Sequence, residues 1–212
     1  MKIKICGMRR PEDISYANEV KPDYIGFILT PGFRRSITKE TAKELKSKLA
    51  SSITAVGVFV NEPPEKIVEY LEEGIIDVAQ LHGQESEEDI VYLKAMTGKK
   101  VIKVVKAENR YAVEAWLDSA ADYLLFDSGT GSGKTFDWSV LSEVLRDYGG
   151  SLPKEFFLAG GISAENIGMA YETVHPYAVD LSSSVETDGW KDFEKMRLAV
   201  SNAKNYDDSG NC

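Results

Sequence analysis

At 212 residues, with 43% apolar and 28% charged side chains, the chain has the make-up of a globular protein with a substantial core. A net charge of −9 excludes a broad basic face, and with it nucleic acid or an anionic membrane as the expected partner. Its two cysteines, Cys6 and Cys212, stand at opposite ends of the sequence and are no disulfide framework.

Strand-like and helix-like segments alternate from the start. KIKIC (2–6) reads as a short strand and PEDISYANEV (11–20) as a helix opened by Pro11. YIGFIL (24–29) is an apolar run, and TKETAKELKSKLA (38–50) is an amphipathic helix with Thr38 as its N-cap. ITAVGVFV (53–60) is strand-like and precedes PPEKIVEYLEEG (63–74), which has prolines at its start and a glycine stop. VAQLH (78–82) leads into SEEDIVYLKAMTG (86–98), where Ser86 and the acids after it suit a helix N-terminus.

The second half repeats the pattern. KVIKVVK (100–106) pairs with NRYAVEAWLDSA (109–120), and DYLLFDS (122–128) with DWSVLSEVLRDYG (137–149). EFFLAGG (155–161) pairs with SAENIGMAYETVH (163–175), and AVDLSSSVE (178–186) with DFEKMRLAVSNAKNY (192–206). Short β-rich runs alternating with helices imply a parallel sheet covered by helices. The eight strand–helix units contain no linker, so the expected fold is α/β, a single-domain (β/α)8 TIM barrel over 1–206, with a frayed tail at 207–212. An open doubly wound sheet would carry a GxGxxG after its first strand, and KICGMRR has none.

No window approaches the roughly 18 apolar residues of a bilayer span. MKIKICGMRRPED holds too short an apolar stretch for a secretory signal, so the expected location is the cytoplasm.

In a barrel of this kind, chemistry belongs at the C-terminal strand ends and in the loops after them. LAGGIS (158–163) and DLSSSVE (180–186) follow strands seven and eight, where backbone N–H groups and helix N-termini commonly hold a phosphate. SGTGSGKT (128–135) follows strand six. It approximates a P-loop, but Ser128 occupies the position of the first required glycine, so a loop closing over a ligand or an ordinary surface loop fits better.

Four side chains are candidates for acid–base or binding work, each with a structural alternative. Cys6 is a base or a small core residue. As a thiolate at neutral pH it would need its pKa brought below the ordinary value of about 8.5. Asp127 is a general acid whose pKa desolvation raises, or the cap of the loop that follows. Arg35 clamps a substrate carboxylate or is solvated; His82 donates to a ligand or to a backbone carbonyl. No His/Cys/Asp/Glu cluster has metal-ligand spacing.

Taken in order, KICGM, IGFI with FRRSI, VGVFVN, QLHG, FD followed by GSGKTFDW, LAGGISAENI, and VDLSSSVE with GWKD resemble the phosphoribosylanthranilate isomerases of tryptophan biosynthesis. The resemblance runs from Lys4 to Lys191. It implies a (β/α)8 barrel without cofactor or metal that converts N-(5-phosphoribosyl)anthranilate to 1-(2-carboxyphenylamino)-1-deoxyribulose 5-phosphate by an Amadori rearrangement. It places the general base on Cys6 and the general acid on Asp127. The substrate carboxylate falls to Arg35, with Arg34 as the register alternative, and the phosphate to the loops of Gly160, Gly161, Ser182 and Ser183. Beyond the resemblance, His82 and Asp180 are the further expected substrate contacts; Asp180 would steady a cationic intermediate or act on Asp127 by like-charge repulsion. The expected partner is an anionic small molecule, and the expected assembly a monomer or homodimer. Met8-Arg9, Thr130 and Ser184 depart from the family pattern; at Ser184 a glycine would take backbone angles that cost a serine energy.

Overall fold

The computed structural model describes residues 1–127 and 138–206. Its eight principal strands form one closed barrel in chain order: β1 (Lys2–Cys6), β2 (Tyr24–Ile28), β3 (Thr54–Phe59), β4 (Val78–Leu81), β5 (Lys100–Lys106), β6 (Tyr123–Asp127), β7 (Phe156–Leu158) and β8 (Ala178–Leu181). Helices alternate with them: α1 (Pro11–Val20), α2 (Lys39–Ser47), α3 (Pro64–Glu72), α4 (Glu87–Thr97), α5 (Arg110–Glu114), α6 (Ser139–Asp147), α7 (Ile167–Val174) and α8 (Phe193–Lys204). This is the (β/α)8 architecture that the alternation predicts. The chain divides into two compact units. The amino-terminal unit is Lys4–Lys103 with Ala120–Asp122; the carboxy-terminal unit is Met1–Ile3, Val104–Ser119 and the described residues from Tyr123 on.

In the amino-terminal unit, β1 to β5 pair in parallel, with Ile5 opposite Ile25, Gly26 opposite Val56 and Gly57 opposite Ala79. These strands are buried along nearly their whole length, which is why YIGFI and TAVGVF read as continuous apolar runs rather than alternating ones. Helix starts follow local chemistry. Thr38 Oγ1 accepts from the Thr41 N–H, and Ser86 forms a reciprocal capping box with Asp89. Gly98 ends α4 in the left-handed region at φ 64°.

The same device closes the N-terminal ends of two strand pairs. Asp77, just before β4, donates its N–H to the Ala55 carbonyl at 2.8 Å, and its Oδ2 accepts from the Ala55 N–H at 2.8 Å. Asp122, just before β6, does the same with Val101 at 2.9 and 2.8 Å. Each carboxylate also meets a helix lysine, Lys46 for Asp77 and Lys94 for Asp122, the latter at 2.9 Å. One carboxylate thus satisfies a strand N–H that the ladder leaves open and ties a helix to the sheet.

In the carboxy-terminal unit, β6, β7 and β8 pair in parallel, with Leu124 opposite Phe156 and Phe157 opposite Ala178. Tyr123 stacks on Tyr177 at 5.3 Å, and Phe157 meets both rings edge-on at 5.6 and 5.7 Å.

Most elements are a little shorter than their sequence-based bounds, and three differ for reasons the local contacts show. Helix α5 spans five residues, because the chain after Glu114 continues in tight i to i+3 turns through Leu117 and Ser119. Helix α7 begins at Ile167 rather than Ser163, since the Asn166 side chain binds the Ser163 N–H and the Gly161 carbonyl and holds that stretch as a turn. Strand β8 stops at Leu181 and gives way to a 3₁₀ turn (Ser183–Val185) and a small hairpin, β9 (Glu186–Thr187) and β10 (Trp190–Lys191). Residues 207–212 and the 128–137 stretch bearing GSGKT lie outside the described residues.

Asp122→Ala removes a strand-end hydrogen bond together with the Lys94 pair, and is expected to cost on the order of 1–3 kcal/mol of unfolding free energy. Asp122→Asn, which keeps an acceptor for Val101, is expected to cost less. Urea unfolding of both variants, with turnover measured alongside, checks the order of effects.

Candidate active site

Every candidate residue lies at the C-terminal end of a strand or in the loop that follows, although the two units carry different members. Cys6, Arg35 and His82 belong to the amino-terminal unit; Asp127, Gly160, Gly161, Asp180, Ser182 and Ser183 belong to the other.

Cys6 closes β1 as a buried thiol, paired in register with Gly26 of β2. A Cβ at position 26 would lie 2.7 Å from Cys6 Sγ and 3.1 Å from its Cα. Glycine is therefore the residue that lets β2 pass the thiol at this distance. The N–H groups of Gly7 and Met8 both bond the Gly26 carbonyl, at 2.9 and 3.0 Å, and so fix the turn that leaves Cys6.

Arg34 and Arg35 lie in the loop after β2, where Arg35 is half-buried and Arg34 exposed. The Arg34 carbonyl accepts from Arg9 Nη1 at 3.2 Å, which ties this loop to the one after β1. The segment is further held by Ser36, whose hydroxyl donates to the Thr30 carbonyl at 2.5 Å and accepts from the Phe33 N–H at 3.1 Å.

His82 follows β4, half-buried, with its N–H on the Phe59 carbonyl at 2.8 Å. Its Nδ1 lies 3.2 Å from Nε2 of the buried Gln80. If that amide donates to Nδ1, a neutral His82 ring has its proton on Nε2.

In the carboxy-terminal unit, Asp127 ends β6 half-buried. Gly160 and Gly161 take φ of 81° and 75°, the left-handed region that glycine adopts at no steric cost. Both positions stay partly open. Asp180 is half-buried in β8, and Ser182 and Ser183 lead into the 3₁₀ turn. Ser184 lies inside that turn and is not among the residues with positive φ, so serine here carries no left-handed strain. Its hydroxyl oxygen is buried with no hydrogen-bond partner among the described residues.

Several supports of these loops escaped the sequence reading. Lys191 on β10 is buried and donates to the Ser182 carbonyl at 2.8 Å and to Glu186 at 3.0 Å. The hairpin that carries it turns on Asp188 and Gly189, at φ 52° and 79°, and a DG pair between ET and WK is the signal for such a turn. Asp192 caps α8 and accepts from the Thr187 hydroxyl, and that bond holds its carboxyl below the usual aspartate value. Glu85 and Lys103, both buried, pair at 2.9 Å beside His82. No group of three or more His, Cys, Asp or Glu that could hold a metal ion occurs among the described residues, and no helix there is long and apolar enough to cross a membrane.

Comparison with known proteins matches the chain to a family. The model of N-(5'-phosphoribosyl)anthranilate (PRA) isomerase covers residues 3–202. The N-(5'-phosphoribosyl)anthranilate isomerase of Endomicrobium trichonymphae is 44% identical over 200 residues, spanning 92% of this chain and 94% of the relative. Among solved structures, a phosphoribosyl anthranilate isomerase in complex with reduced 1-(o-carboxyphenylamino)-1-deoxyribulose 5-phosphate is 33% identical, with a TM-score of 0.83 over 97% of this chain and 99% of that one. Monomers generated from the dimeric enzyme of Thermotoga maritima are 34% identical, with a TM-score of 0.83 and the same coverage. A match of this extent in both sequence and fold makes the chain a member of the N-(5'-phosphoribosyl)anthranilate isomerase family of tryptophan biosynthesis.

Proposed function

We propose that this isomerase works through Cys6 as general base and Asp127 as general acid, on a substrate held by its carboxylate and its phosphate. The observation that carries the reading is the pair of strand ends. β1 closes on a thiol and β6 on a carboxylate, in a chain that matches the isomerases over nearly its whole length.

The chemistry asks for these two groups and little else. Asp127 in its protonated form donates to the furanose ring oxygen; the C1–O bond breaks and the anilino nitrogen forms an iminium at C1. That cation acidifies the C2 proton, so a base as modest as a cysteine thiolate removes it and leaves an enolamine. Proton return to C1 and loss of the enol proton give the 1-amino-2-ketose. The proton count is unchanged overall, as an isomerisation requires. Two well-placed proton-transfer groups contribute on the order of 10²–10⁴-fold each.

Binding follows the charges of the substrate. Arg35, the less exposed of the two arginines in its loop, meets the carboxylate. The left-handed Gly160–Gly161 turn and the Ser182–Ser183 segment meet the phosphate with backbone N–H groups and hydroxyls. His82 donates from Nε2, and Asp180 stabilises the cationic intermediate. We further assign the reaction to the cytoplasm and the 1–206 segment to a single folding domain.

Cys6→Ser and Asp127→Asn are each expected to lower kcat by about 10²–10⁴-fold while the circular dichroism spectrum is kept. Turnover is followed by the loss of fluorescence of freshly generated phosphoribosylanthranilate. An Asp127→Asn variant as fast as wild type would move the general acid to another residue. Gly26→Ala tests the thiol from outside: the new methyl must displace Sγ, and a shift near 1 Å is expected to cost roughly 10²-fold in turnover. A folded Gly26→Ala enzyme with unchanged kcat would remove Cys6 from the proton-transfer step.

A further inference from the structure

We propose that the buried Glu85–Lys103 pair is a positioning device for the loop that carries His82, and thereby sets substrate affinity. The proposal rests on the reading of His82 as a substrate ligand.

Glu85 and Lys103 side chains are 4% and 3% exposed, with Nζ and Oε2 2.9 Å apart. Taking two charges out of water costs several kcal/mol per ion, and such pairs are often no more stabilising than apolar residues of the same volume. What this pair supplies beyond stability is a set of fixed points. Glu85 Oε1 accepts from the Asn61 N–H at 2.7 Å, and the Gly83 N–H lies 3.1 and 2.8 Å from the two carboxylate oxygens. Lys103 Nζ donates to the Gly83 carbonyl at 2.9 Å. Both backbone groups of the residue after His82 are therefore held by the ion pair.

The loop after β3 is drawn into the same knot. Asn61 sits in the left-handed region at φ 53°, and its Oδ1 accepts from the Gln84 N–H at 2.7 Å. A Cβ at Gly83 would lie 2.4 Å from that oxygen, so only glycine lets the two loops meet this closely. With the His82 N–H already on Phe59, backbone bonds flank the imidazole on both sides and the Gln80 amide meets Nδ1. A ligand contact that is ordered before binding loses less entropy when it forms.

The other unit repeats the device independently. There Lys191, paired with Glu186, donates to the carbonyl of Ser182, a residue read as part of the phosphate grip.

The test is a double-mutant cycle in the full-length chain, read by kcat and KM for phosphoribosylanthranilate and by thermal unfolding. Glu85→Gln/Lys103→Met removes both charges together and leaves no unpaired ion in the interior. It is expected to lower kcat/KM by about 10-fold, chiefly through KM, in the wild-type background, and by less than about 2-fold when His82→Ala is already present. Equal losses in both backgrounds would overturn the proposal and make the pair a support of the fold. A His82→Ala variant with wild-type kcat/KM would overturn it differently, by removing the assignment of His82 on which it rests. Should the double variant fail to fold, Asn61→Gly keeps the left-handed backbone and removes only the acceptor for Gln84. Its effect on KM is expected to vanish in the His82→Ala background, and a persistent effect would sink the proposal.

Discussion

A parallel strand covered on both faces has almost no place for a polar side chain except at its ends. That constraint governs this molecule. β2 and β3 are buried along nearly their whole length, and many polar groups described above stand where strands begin or just after they end. At the N-terminal ends stand Asp77 and Asp122, whose carboxylates complete a ladder and fasten a helix. At the C-terminal ends stand Cys6, His82 and Asp127, and the Gly160–Gly161 turn. In our reading stability and chemistry are thus separated by strand polarity, as (β/α)8 barrels in general arrange them. The same residue type, aspartate, is structural before β6 and catalytic in our reading after it, and only the strand end differs.

The charges that do enter the interior are few, and their positions carry information. Lys103 and Lys191 are buried, and each reaches past its carboxylate partner to a backbone carbonyl in a loop. A buried ammonium needs several acceptors to offset its lost hydration. Here the second acceptor is a loop carbonyl that no regular ladder would satisfy. Satisfying the lysine and fixing the loop are therefore the same set of bonds.

Most of the fold was legible because its signals are local. Prolines opened α1 and α3, Thr38 and Ser86 capped as their side chains dictate, and unbroken apolar runs marked the central strands. The misjudged elements are those decided by contacts between residues several positions apart. Asn166 delays α7 by reaching back to Ser163 and Gly161, which no helix-propensity sum contains. KIKIC is the strand expected at 2–6, but nothing in its alternation signals that Lys4 is wholly buried. The strand-end positions of the candidate site residues were legible through motif and position together. Glu85 and Lys103, 18 residues apart and unremarkable in sequence, became visible only when folding set them 2.9 Å from each other.

Ser184 illustrates how position decides what a departure from family pattern means. Read as a sequence, a serine in place of glycine threatens a strained turn beside the phosphate loop. In the structure the residue sits within a 3₁₀ turn whose angles suit any L-residue, so the backbone bears no penalty. The cost moves to the side chain, whose hydroxyl is buried with no hydrogen-bond partner among the described residues. An orphaned buried hydroxyl is worth about 1–3 kcal/mol of lost solvation, comparable to the strain it avoids. What glycine would provide at this point is therefore the absence of a polar group from a packed turn rather than conformational freedom.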